Sequence, residues 1–252
     1  MQEELELFRD NVRRFLEDTV APHYDQYEKD GKIDRQLWRA FGEAGLLCVD
    51  APEEYGGAAA PFAFACVVLE EVARAGFGAL GANLAVHSDI VAPYISHLGT
   101  EAQKQHYLPK LISGEYVGAI AMTEPGAGSD LQGIKTNAVR DGDDYVINGQ
   151  KTFITNGQHA DVVVTFTKTD PGAGARGTTL FLVETNTPGF ARGRNLEKIG
   201  QHAGDTSELF FSDVRVPASA VLGAVGNGFG HLVDELPRER LTLGIGAVGA
   251  AD

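Results

Sequence analysis

The chain has 252 residues, 43% of them hydrophobic and 22% charged, and a formal net charge of −14 at pH 7. This length and composition fit one large or two ordinary globular domains with an ample core. The acidic balance argues against nucleic acid as a partner, because phosphate binding needs a basic face. It does not exclude an anionic small ligand, which needs only a few local cations.

Cysteine content and the amino terminus bear on the cellular compartment. The two cysteines, Cys48 and Cys66, lie among apolar neighbours, which favours reduced thiols over a disulfide or a metal site. No stretch reaches the ~18 apolar residues of a membrane span. The acidic amino terminus lacks the cationic start of a secretory signal. We therefore expect a cytoplasmic protein of bacterial type with no membrane span.

Helical periodicity dominates the first ~112 residues. Pro22 is expected to end the first helix, because proline removes an N–H donor and clashes with the preceding turn. Asp34 is expected to cap the second helix, and Thr100 with Gln103 forms a capping box for the last. The predicted helices cover residues 3–20, 34–45, 61–75, 80–98 and 100–112.

The periodicity changes at Tyr116. β-Branched and alternating runs between turn residues predict a compact β domain of roughly 110 residues. Asp141-Gly142 is expected to turn the chain, and Asn148-Gly149 is a strong signal for a two-residue hairpin. The predicted strands cover residues 117–122, 134–140, 145–147, 151–155, 161–168, 178–184 and 209–216, with a Gly-rich hairpin loop over 170–177.

Helical spacing returns at Gly228 and continues to the last residue. The patterns therefore predict a helical domain over residues 1–115, a β domain over 116–226 and the first helix of a further helical domain over 227–252. Apolar residues on several faces of this last helix are typical of a buried helix. The chain offers it few packing partners.

The stretch from Ala119 to Asp130 runs from an apolar strand into a loop with two glycines and a proline. Small residues let a backbone approach a ligand closely, and successive N–H groups can bind an anion. Thr123 and Ser129 add hydroxyl groups. Taken alone, these residues favour an ordinary surface turn over a ligand-binding loop.

Four motifs in order along the chain resemble those of the acyl-CoA dehydrogenase family, most closely its long-chain type. They are residues 122–136, residues 148–157, Lys198-Ile199-Gly200 with residues 206–214 and 221–223, and Glu235-Leu236-Pro237-Arg238-Glu239-Arg240-Leu241. The resemblance spans the whole chain. It implies the family's α+β multidomain fold, with an N-terminal all-helical domain, a central β-barrel-like domain and the start of a C-terminal helical bundle.

By this resemblance the chain is truncated before most of that bundle, which in the family supplies the oligomer core and further flavin contacts. We expect the full-length form to be a dimer or tetramer. A chain of this length alone is expected to be unstable or inactive, because its last helix would expose an apolar surface.

The reaction that the resemblance implies is the α,β-dehydrogenation of an acyl-CoA thioester to a trans-2-enoyl-CoA, as in fatty acid β-oxidation, with FAD as cofactor. A base removes the α-proton while the β-hydrogen passes to the flavin as hydride. Electrons then leave to an electron-transfer flavoprotein. Two alternatives stay open: an acyl-CoA oxidase that uses O₂, and a non-catalytic fragment that binds acyl-CoA or a protein.

The flavin-binding residues implied by the resemblance lie in the first two motifs. Thr123 and nearby N–H groups would bond the pyrimidine side of the ring, Phe153 would lie against it, and Thr155 would offer its hydroxyl to N5. Without the motif, residues 153–155 fit an ordinary half-buried strand. The full set is Ile120, Ala121, Met122, Thr123, Glu124, Pro125, Gly126, Ala127, Gly128, Ser129, Phe153, Ile154 and Thr155.

Glu239 is the predicted catalytic base, because it matches one of the two sequence positions at which the family places that glutamate. Removing a weakly acidic α-proton needs a carboxylate whose pKa is raised by an apolar pocket. On composition alone, Arg238 and Arg240 would instead lower the pKa of a solvated Glu239. Glu235, one turn earlier, is the alternative base.

Substrate contacts are implied by position in the same motifs. Arg176 suits a CoA phosphate, although a solvated loop arginine fits it equally well. Gly230 stands where long-chain relatives carry a bulky aromatic, which leaves the chain length open and would widen the acyl pocket. The substrate-binding set is Ser129, Ala175, Arg176, Gly230, Pro237, Arg238 and Arg240, and the histidine spacing predicts no metal site.

Overall fold

The computed structural model describes residues 2–252. Along the chain, a set of packed helices, which we call the helical layer, is followed by the strands of a mixed sheet and then by one long helix. The α-helices are α1 (Gln2–Phe15), α2 (Ala21–Asp30), α3 (Arg35–Glu43), α4 (Phe62–Arg74), α5 (Gly78–Leu84), α6 (Ala92–Leu98), α7 (Glu101–Ile112) and α8 (Gly228–Ala251). None of the helices between residues 2 and 252 combines the length and hydropathy that crossing a membrane requires.

Two predicted helix starts are confirmed by their caps. The Asp34 side chain accepts a hydrogen bond from the N–H of Gln36 at the start of α3. Thr100 and Gln103 make both hydrogen bonds of a capping box at the start of α7. Sequence alone is sufficient here, because the cap and the group it satisfies lie within three residues of each other.

Pro22 does not end the first helix, and that prediction was wrong. α1 continues through a π-helical segment, Leu16–Val20, directly into α2. Pro22 lies in the first turn of α2, directly after the π-helical segment, where its fixed φ suits the helix. The helix ends instead at Gly31, whose φ of 72° is the left-handed conformation typical of a C-terminal glycine.

The predicted helix over residues 80–98 is confirmed as one continuous element. α5 and α6 are joined by a π-helical segment, Ala85–Val91, and we call residues 78–98 the central helix. The middle of this helix is buried on nearly all sides. It packs against both the sheet and α8, so it connects the two halves of the molecule.

Eight strands of the described part of the chain form one mixed sheet. Their hydrogen-bonded order is β6-β7-β3-β2-β4-β5-β8, and β1 pairs in parallel with β4. The strands are β1 (Gly118–Ala121), β2 (Asn137–Asp141), β3 (Asp144–Thr155), β4 (Val162–Lys168), β5 (Thr178–Glu184), β6 (Phe190–Asn195), β7 (Thr206–Pro217) and β8 (Val221–Leu222).

Asn148-Gly149 does not form the predicted hairpin. Both residues lie inside β3, at a bulge where the register against β7 shifts between Ile147 and Gly149. The β2–β3 hairpin turns instead between Asp141 and Asp144. A pair whose residues tolerate positive φ also suits a bulge, and the partner strand that decides between the two uses lies far away in sequence.

β6 and β8 were absent from the sequence prediction. β6 is exposed along most of its length and rich in arginine, so its spacing carries little apolar signal. β8 contains only Val221 and Leu222. Both elements are recognised only through pairing with distant strands, β7 and β5.

The sheet is buried on both faces at its centre. Val162, Val164 and Phe166 of β4 point into the core shared with the helical layer. Val163, between them, points into a second core with Phe181 on the other face. Alternate side chains of a strand point to opposite faces. Because both faces of β4 and β5 are buried, their sequences are nearly continuous apolar runs. The first core fixes the sheet against the central helix.

Candidate functional site

The loop that follows β1 is held from inside by a buried carboxylate. Glu124 accepts hydrogen bonds from the main-chain N–H groups of Lys135 and Thr136, at 2.6 and 3.0 Å. Its Oε1 also lies 2.9 Å from Nζ of Lys151 on β3, and that ammonium donates to the carbonyl of Met122. Glu124 is therefore used by the protein itself, as a brace that sets the shape of the loop.

Lys151 and Glu124 form an ion pair away from water. The Lys151 side chain is completely buried, and burial lowers its pKa to about 8 against the opposing effect of Glu124. Burial pushes the pKa of Glu124 upward, but Lys151 and the N–H donors outweigh it and leave that pKa below its usual value. Removing either partner would strand the other charge in the core.

The outer side of the loop presents free donors. Gly126, Gly128 and Ser129 are exposed, and their main-chain N–H groups donate to no atom of the described residues. No other atom lies within 4 Å of a Cβ built at Gly126 or Gly128. This side of the loop is open to a ligand that carries acceptor atoms.

β3 passes beside this loop and presents an aromatic ring to solvent. The N–H of Thr152 donates to the carbonyl of Thr123, which joins the two segments. Phe153 has a φ of 59° and is 66% exposed, whereas Ile154 is buried. A positive φ is costly for a bulky residue, and exposing phenylalanine forgoes its burial. Strained residues of this kind cluster at ligand sites.

Glu239 faces into the protein. Its side chain is buried, and Tyr94 of the central helix donates a hydrogen bond to its Oε1 at 2.9 Å. Burial raises the pKa of Glu239. The hydrogen bond from Tyr94 and the charge of Arg240 oppose that rise, and Glu235 reinforces it. The net direction is upward, as a base for a weak carbon acid requires.

Arg238 does not act on Glu239, although the two are adjacent in sequence. Its Nη2 lies 2.5 Å from Oδ2 of Asp50 and 3.7 Å from Oδ1 of Asp89, and its guanidinium stacks on the ring of Phe62. These partners belong to three different parts of the helical layer. They direct the cation away from Glu239 and hold α8 against that layer, so a substrate contact of Arg238 stays a prediction.

Glu235, the alternative base, has a different environment. Its Oε1 lies 2.8 Å from Nδ1 of His97, at the exposed end of the central helix. The hydrogen bond to Glu235 raises the pKa of His97. A carboxylate paired with an imidazole is poorly placed to collect a proton from carbon, which favours Glu239 of the two.

The central helix carries contacts to both candidate segments. Nδ1 of His87 accepts a hydrogen bond from the N–H of Gly118 at the start of β1. Asp89 and Tyr94, further along, contact α8. The central helix therefore helps to position both the strand that leads into the loop and the Glu239 carboxylate.

A cavity of about 280 Å³ lies between the central helix and α8. Thr242, which lines it, follows Glu239 by three residues and so shares its helix face; the Thr242 hydroxyl is buried without a hydrogen-bond partner among the described residues. The lining is mostly small and apolar: Leu69, Ala73, Gly78, Gly81, Ala82, Ala85, Gln201, Thr242, Leu243, Gly246, Ala247 and Ala250.

The remaining predicted substrate contacts lie in the Pro171–Gly177 loop and on α8. Arg176 is exposed in the Pro171–Gly177 loop and makes no ion pair with the described residues, and Ala175 beside it is half-buried. Gly230 lies in the first turn of α8, where a Cβ would meet the amide of Asn227. Pro237 and Arg240 are exposed on α8. Their roles stay predictions.

Several residues of the site carry no sequence signal of their own. Tyr94 is one apolar residue among many in the central helix, and Asp50 and Asp89 lie far from Arg238 in sequence. The Glu124–Lys151 pair is separated by 27 positions. A charged residue within a mainly apolar helix, as at Asp89, is the one sequence signal that could have drawn attention to such a position.

Family models match most of the chain. The N-terminal domain of acyl-CoA dehydrogenase matches residues 2–115, and the middle domain of acyl-CoA dehydrogenase matches residues 119–214. The boundaries predicted at residues 115 and 226 themselves stay predictions.

Individual proteins are similar along nearly the whole chain. The mitochondrial long-chain specific acyl-CoA dehydrogenase of Sus scrofa is 48% identical over 99% of this chain, which spans 58% of that relative's length. An acyl-CoA dehydrogenase structure from Geobacillus kaustophilus is 52% identical with a TM-score of 0.96, and the match covers 100% of this chain and 66% of that one. A glutaryl-CoA dehydrogenase from Mycobacterium smegmatis, in complex with FADH2, is 32% identical with a TM-score of 0.91, covering 100% and 63% of the two chains.

Proposed function

The chain belongs to the acyl-CoA dehydrogenase family, and on that premise we propose that it carries out the α,β-dehydrogenation of an acyl-CoA thioester with Glu239 as the base. Because the chain spans 58% of the length of the Sus scrofa relative, this is a proposal about the whole protein. The observation that carries it is the Glu239 carboxylate, which is buried, has a raised pKa and lies three residues before Thr242, a residue that lines the cavity.

The residues of the loop and of β3 fit a flavin. The free N–H groups of Gly126, Gly128 and Ser129 suit the acceptor atoms of the ring edge or of a phosphate. The exposed ring of Phe153 suits a flat aromatic partner, and Thr155, half-buried on the same strand, offers a hydroxyl. FAD, when bound, would accept the β-hydrogen of the substrate as hydride.

The chain's own residues contribute proton transfer and binding. Glu239 takes the α-proton, and burial strengthens it as a base because the neutral form is favoured in a low-dielectric site. Donors near the thioester carbonyl would stabilise the enolate that develops. The braces at Glu124–Lys151 and at Arg238 hold the loop and α8 before substrate arrives.

The acyl chain is proposed to enter the cavity between the central helix and α8. Its lining of alanine and glycine leaves room for methylene groups, and burying each of them is worth about 0.8 kcal/mol. Flavin bleaching by straight-chain, branched and steroid-type acyl-CoA compounds would identify the chain that fits. A flat response across that panel would argue against a defined acyl pocket here.

Glu239→Gln tests the base. The variant keeps the shape and the Tyr94 contact but cannot take a proton. We expect it to bind flavin normally and to lose bleaching by acyl-CoA by about 10²–10⁴-fold, the usual contribution of a general base. Glu235→Gln is the matched control, because it lies one turn away and should retain bleaching. Rapid bleaching in Glu239→Gln would overturn the assignment.

The electron acceptor belongs to the proposal as well. We propose an electron-transfer flavoprotein, as the family resemblance implies, and slow reoxidation of the bleached protein in air would support it. Fast reoxidation would favour the acyl-CoA oxidase alternative. Protein that purifies without flavin absorbance would favour a non-catalytic module. A cytoplasmic location stays a proposal, since the Sus scrofa relative is mitochondrial. Assembly of the full-length protein into a dimer or tetramer is a proposal too.

A further inference from the structure

Tyr94 makes the one hydrogen bond that Glu239 receives from the residues the structure describes. The tyrosine is completely buried, and its hydroxyl donates to Oε1 over 2.9 Å. A buried tyrosine hydroxyl needs a partner, and here the partner is a carboxylate on another helix. Oε2 of Glu239 accepts no hydrogen bond from the described residues, so it is the oxygen that can receive a proton.

We propose that Tyr94 is a positioning residue for Glu239: its hydroxyl orients the carboxylate and stabilises the ionised form that can act as a base. The inference rests on the proposed function, in which Glu239 removes the α-proton of the substrate. Tyr94 comes from the rigid central helix, whose buried surroundings prevent the ring from moving aside.

The groups around Glu239 divide by their effect on its charge. Burial and the nearby carboxylate of Glu235 disfavour ionisation, whereas Tyr94 and Arg240 favour it. Arg240 is exposed, so solvent and salt weaken its effect. His97, at the end of the central helix, is engaged with Glu235. Among the groups that favour ionisation, Tyr94 therefore acts at the closest range and away from solvent.

The second neighbouring cation is held elsewhere. The guanidinium of Arg238 points toward Asp50 and Asp89: its Nη2 lies 2.5 Å from Oδ2 of Asp50 and 3.7 Å from Oδ1 of Asp89. An arginine salt bridge to Glu239 would hold its pKa too low for a carbon acid. A neutral hydroxyl donor instead lets the carboxylate ionise while it stays basic, which is the compromise that proton abstraction needs.

Tyr94→Phe isolates this effect, because it keeps the ring and removes only the hydroxyl. A hydrogen bond to a charged group is worth enough to move the pKa of the carboxyl upward by about one unit or more. The base must be ionised to react. The acid limb of the bleaching rate should therefore move up by at least about one pH unit, a roughly tenfold loss on the acid side. The rate should recover toward the parent value at alkaline pH.

The test compares bleaching of the flavin-loaded protein by excess acyl-CoA across pH in the parent, Tyr94→Phe and Tyr55→Phe. Tyr55 is the matched control: it is buried in the same helical layer and donates to Glu101 at 2.9 Å, with no contact to Glu239. We expect Tyr55→Phe to keep the parent pH profile. An equal loss of rate at every pH in Tyr94→Phe would show a merely structural role and overturn the proposal.

A second readout is independent of turnover. The carboxyl carbon of Glu239, assigned by its disappearance in Glu239→Gln, should titrate at higher pH in Tyr94→Phe than in the parent by carbon NMR. An unmoved titration in a folded Tyr94→Phe variant would overturn the inference. If Glu239→Gln loses bleaching but Tyr94→Phe changes nothing, the role of Tyr94 is refuted and Glu239 remains the proposed base. If Glu239→Gln still bleaches the flavin, the proposed base itself is refuted.

Discussion

At the scale of single residues, the candidate site depends on side chains whose state is set by burial. Lys151 and Glu239 are ionisable side chains that lie buried, whereas Phe153 is an apolar side chain that lies exposed. Each departs from its ordinary environment, and each lies in the loop, the strand or the helix on which the proposed chemistry depends. Such departures cost stability and persist where function requires them.

Roles for Phe153 and Glu239 could be predicted from sequence only through the resemblance to a family, and none was predicted for Lys151. Nothing local distinguishes Glu239 from a solvated glutamate between two arginines, which was the simpler interpretation of its neighbours. The structure gives the physical reason why that interpretation fails, because Asp50 and Asp89 draw Arg238 away. Those contacts are separated by more than a hundred positions in sequence, so no window of sequence contains them.

His87 provides a prediction about pH. Its Nε2–H donates to the carbonyl of Leu111 and its Nδ1 accepts from the N–H of Gly118, so the ring must be neutral. Burial lowers its pKa from 6.5 to about 4. Between those values the unfolded chain binds the extra proton and the folded chain does not. Stability is therefore full above pH 6.5 and falls as the pH drops toward 4.

The pKa shift of His87 lowers the free energy of unfolding by on the order of 3 kcal/mol between neutral pH and pH 4, at about 1.4 kcal/mol per pKa unit. His87→Gln keeps one donor and one acceptor but cannot titrate. Urea midpoints measured from neutral to acid pH should fall less steeply in this variant than in the parent. Parallel slopes for the two proteins would show that His87 does not cause the acid sensitivity.

At the scale of elements, the sequence predicts what local signals decide and fails where a distant partner decides. The caps at Asp34 and Thr100 are local, and both predictions were correct. Pro22 was misjudged because the π-helical segment before it lets the helix continue through its first turn. The Asn148-Gly149 pair was misjudged because β7 converts a hairpin signal into a bulge.

The bulge in β3 gives a prediction of its own. Gly149 has a φ of 155°, and a Cβ there would lie 2.6 Å from Cα of Thr136. Gly149→Ala should therefore destabilise the protein by about 2–4 kcal/mol through strain and overpacking. Gly142→Ala is the matched control, since its φ is 64° but no atom lies within 4 Å of the added Cβ. It should cost only about 1 kcal/mol.

Chemical denaturation of both glycine variants measures this difference. The bulge lies next to Lys135 and Thr136, whose N–H groups bond Glu124. Gly149→Ala is thus also expected to weaken flavin binding, whereas Gly142→Ala is not. Equal destabilisation by the two variants would mean that backbone conformation alone, without the Thr136 contact, sets the requirement for glycine.

At the scale of the whole molecule, a buried amide network joins the helical layer to the sheet. Asn156 follows β3 with a φ of 65° and is completely buried. Its Nδ2 donates to the carbonyls of Asn83 and Gly118, both at 3.0 Å, and its Oδ1 accepts from the Asn83 amide. Asn83 also donates to Asp205 at 3.2 Å. The side chains of Asn156 and Asn83 together connect the central helix, β1 and the segment before β7.

This network predicts that the two halves unfold together. Asn156→Gly keeps the positive φ but removes the amide, and should cost on the order of 3 kcal/mol because buried partners are left unsatisfied. Asn156→Ala should cost about 1 kcal/mol more, since alanine disfavours that φ. Trp38, the single tryptophan, reports on the helical layer, and amide exchange of β4 reports on the sheet. In the parent both probes should give one transition in urea. In Asn156→Gly the two transitions should separate, and their continued coincidence at unchanged stability would show that the apolar core alone couples helices and sheet.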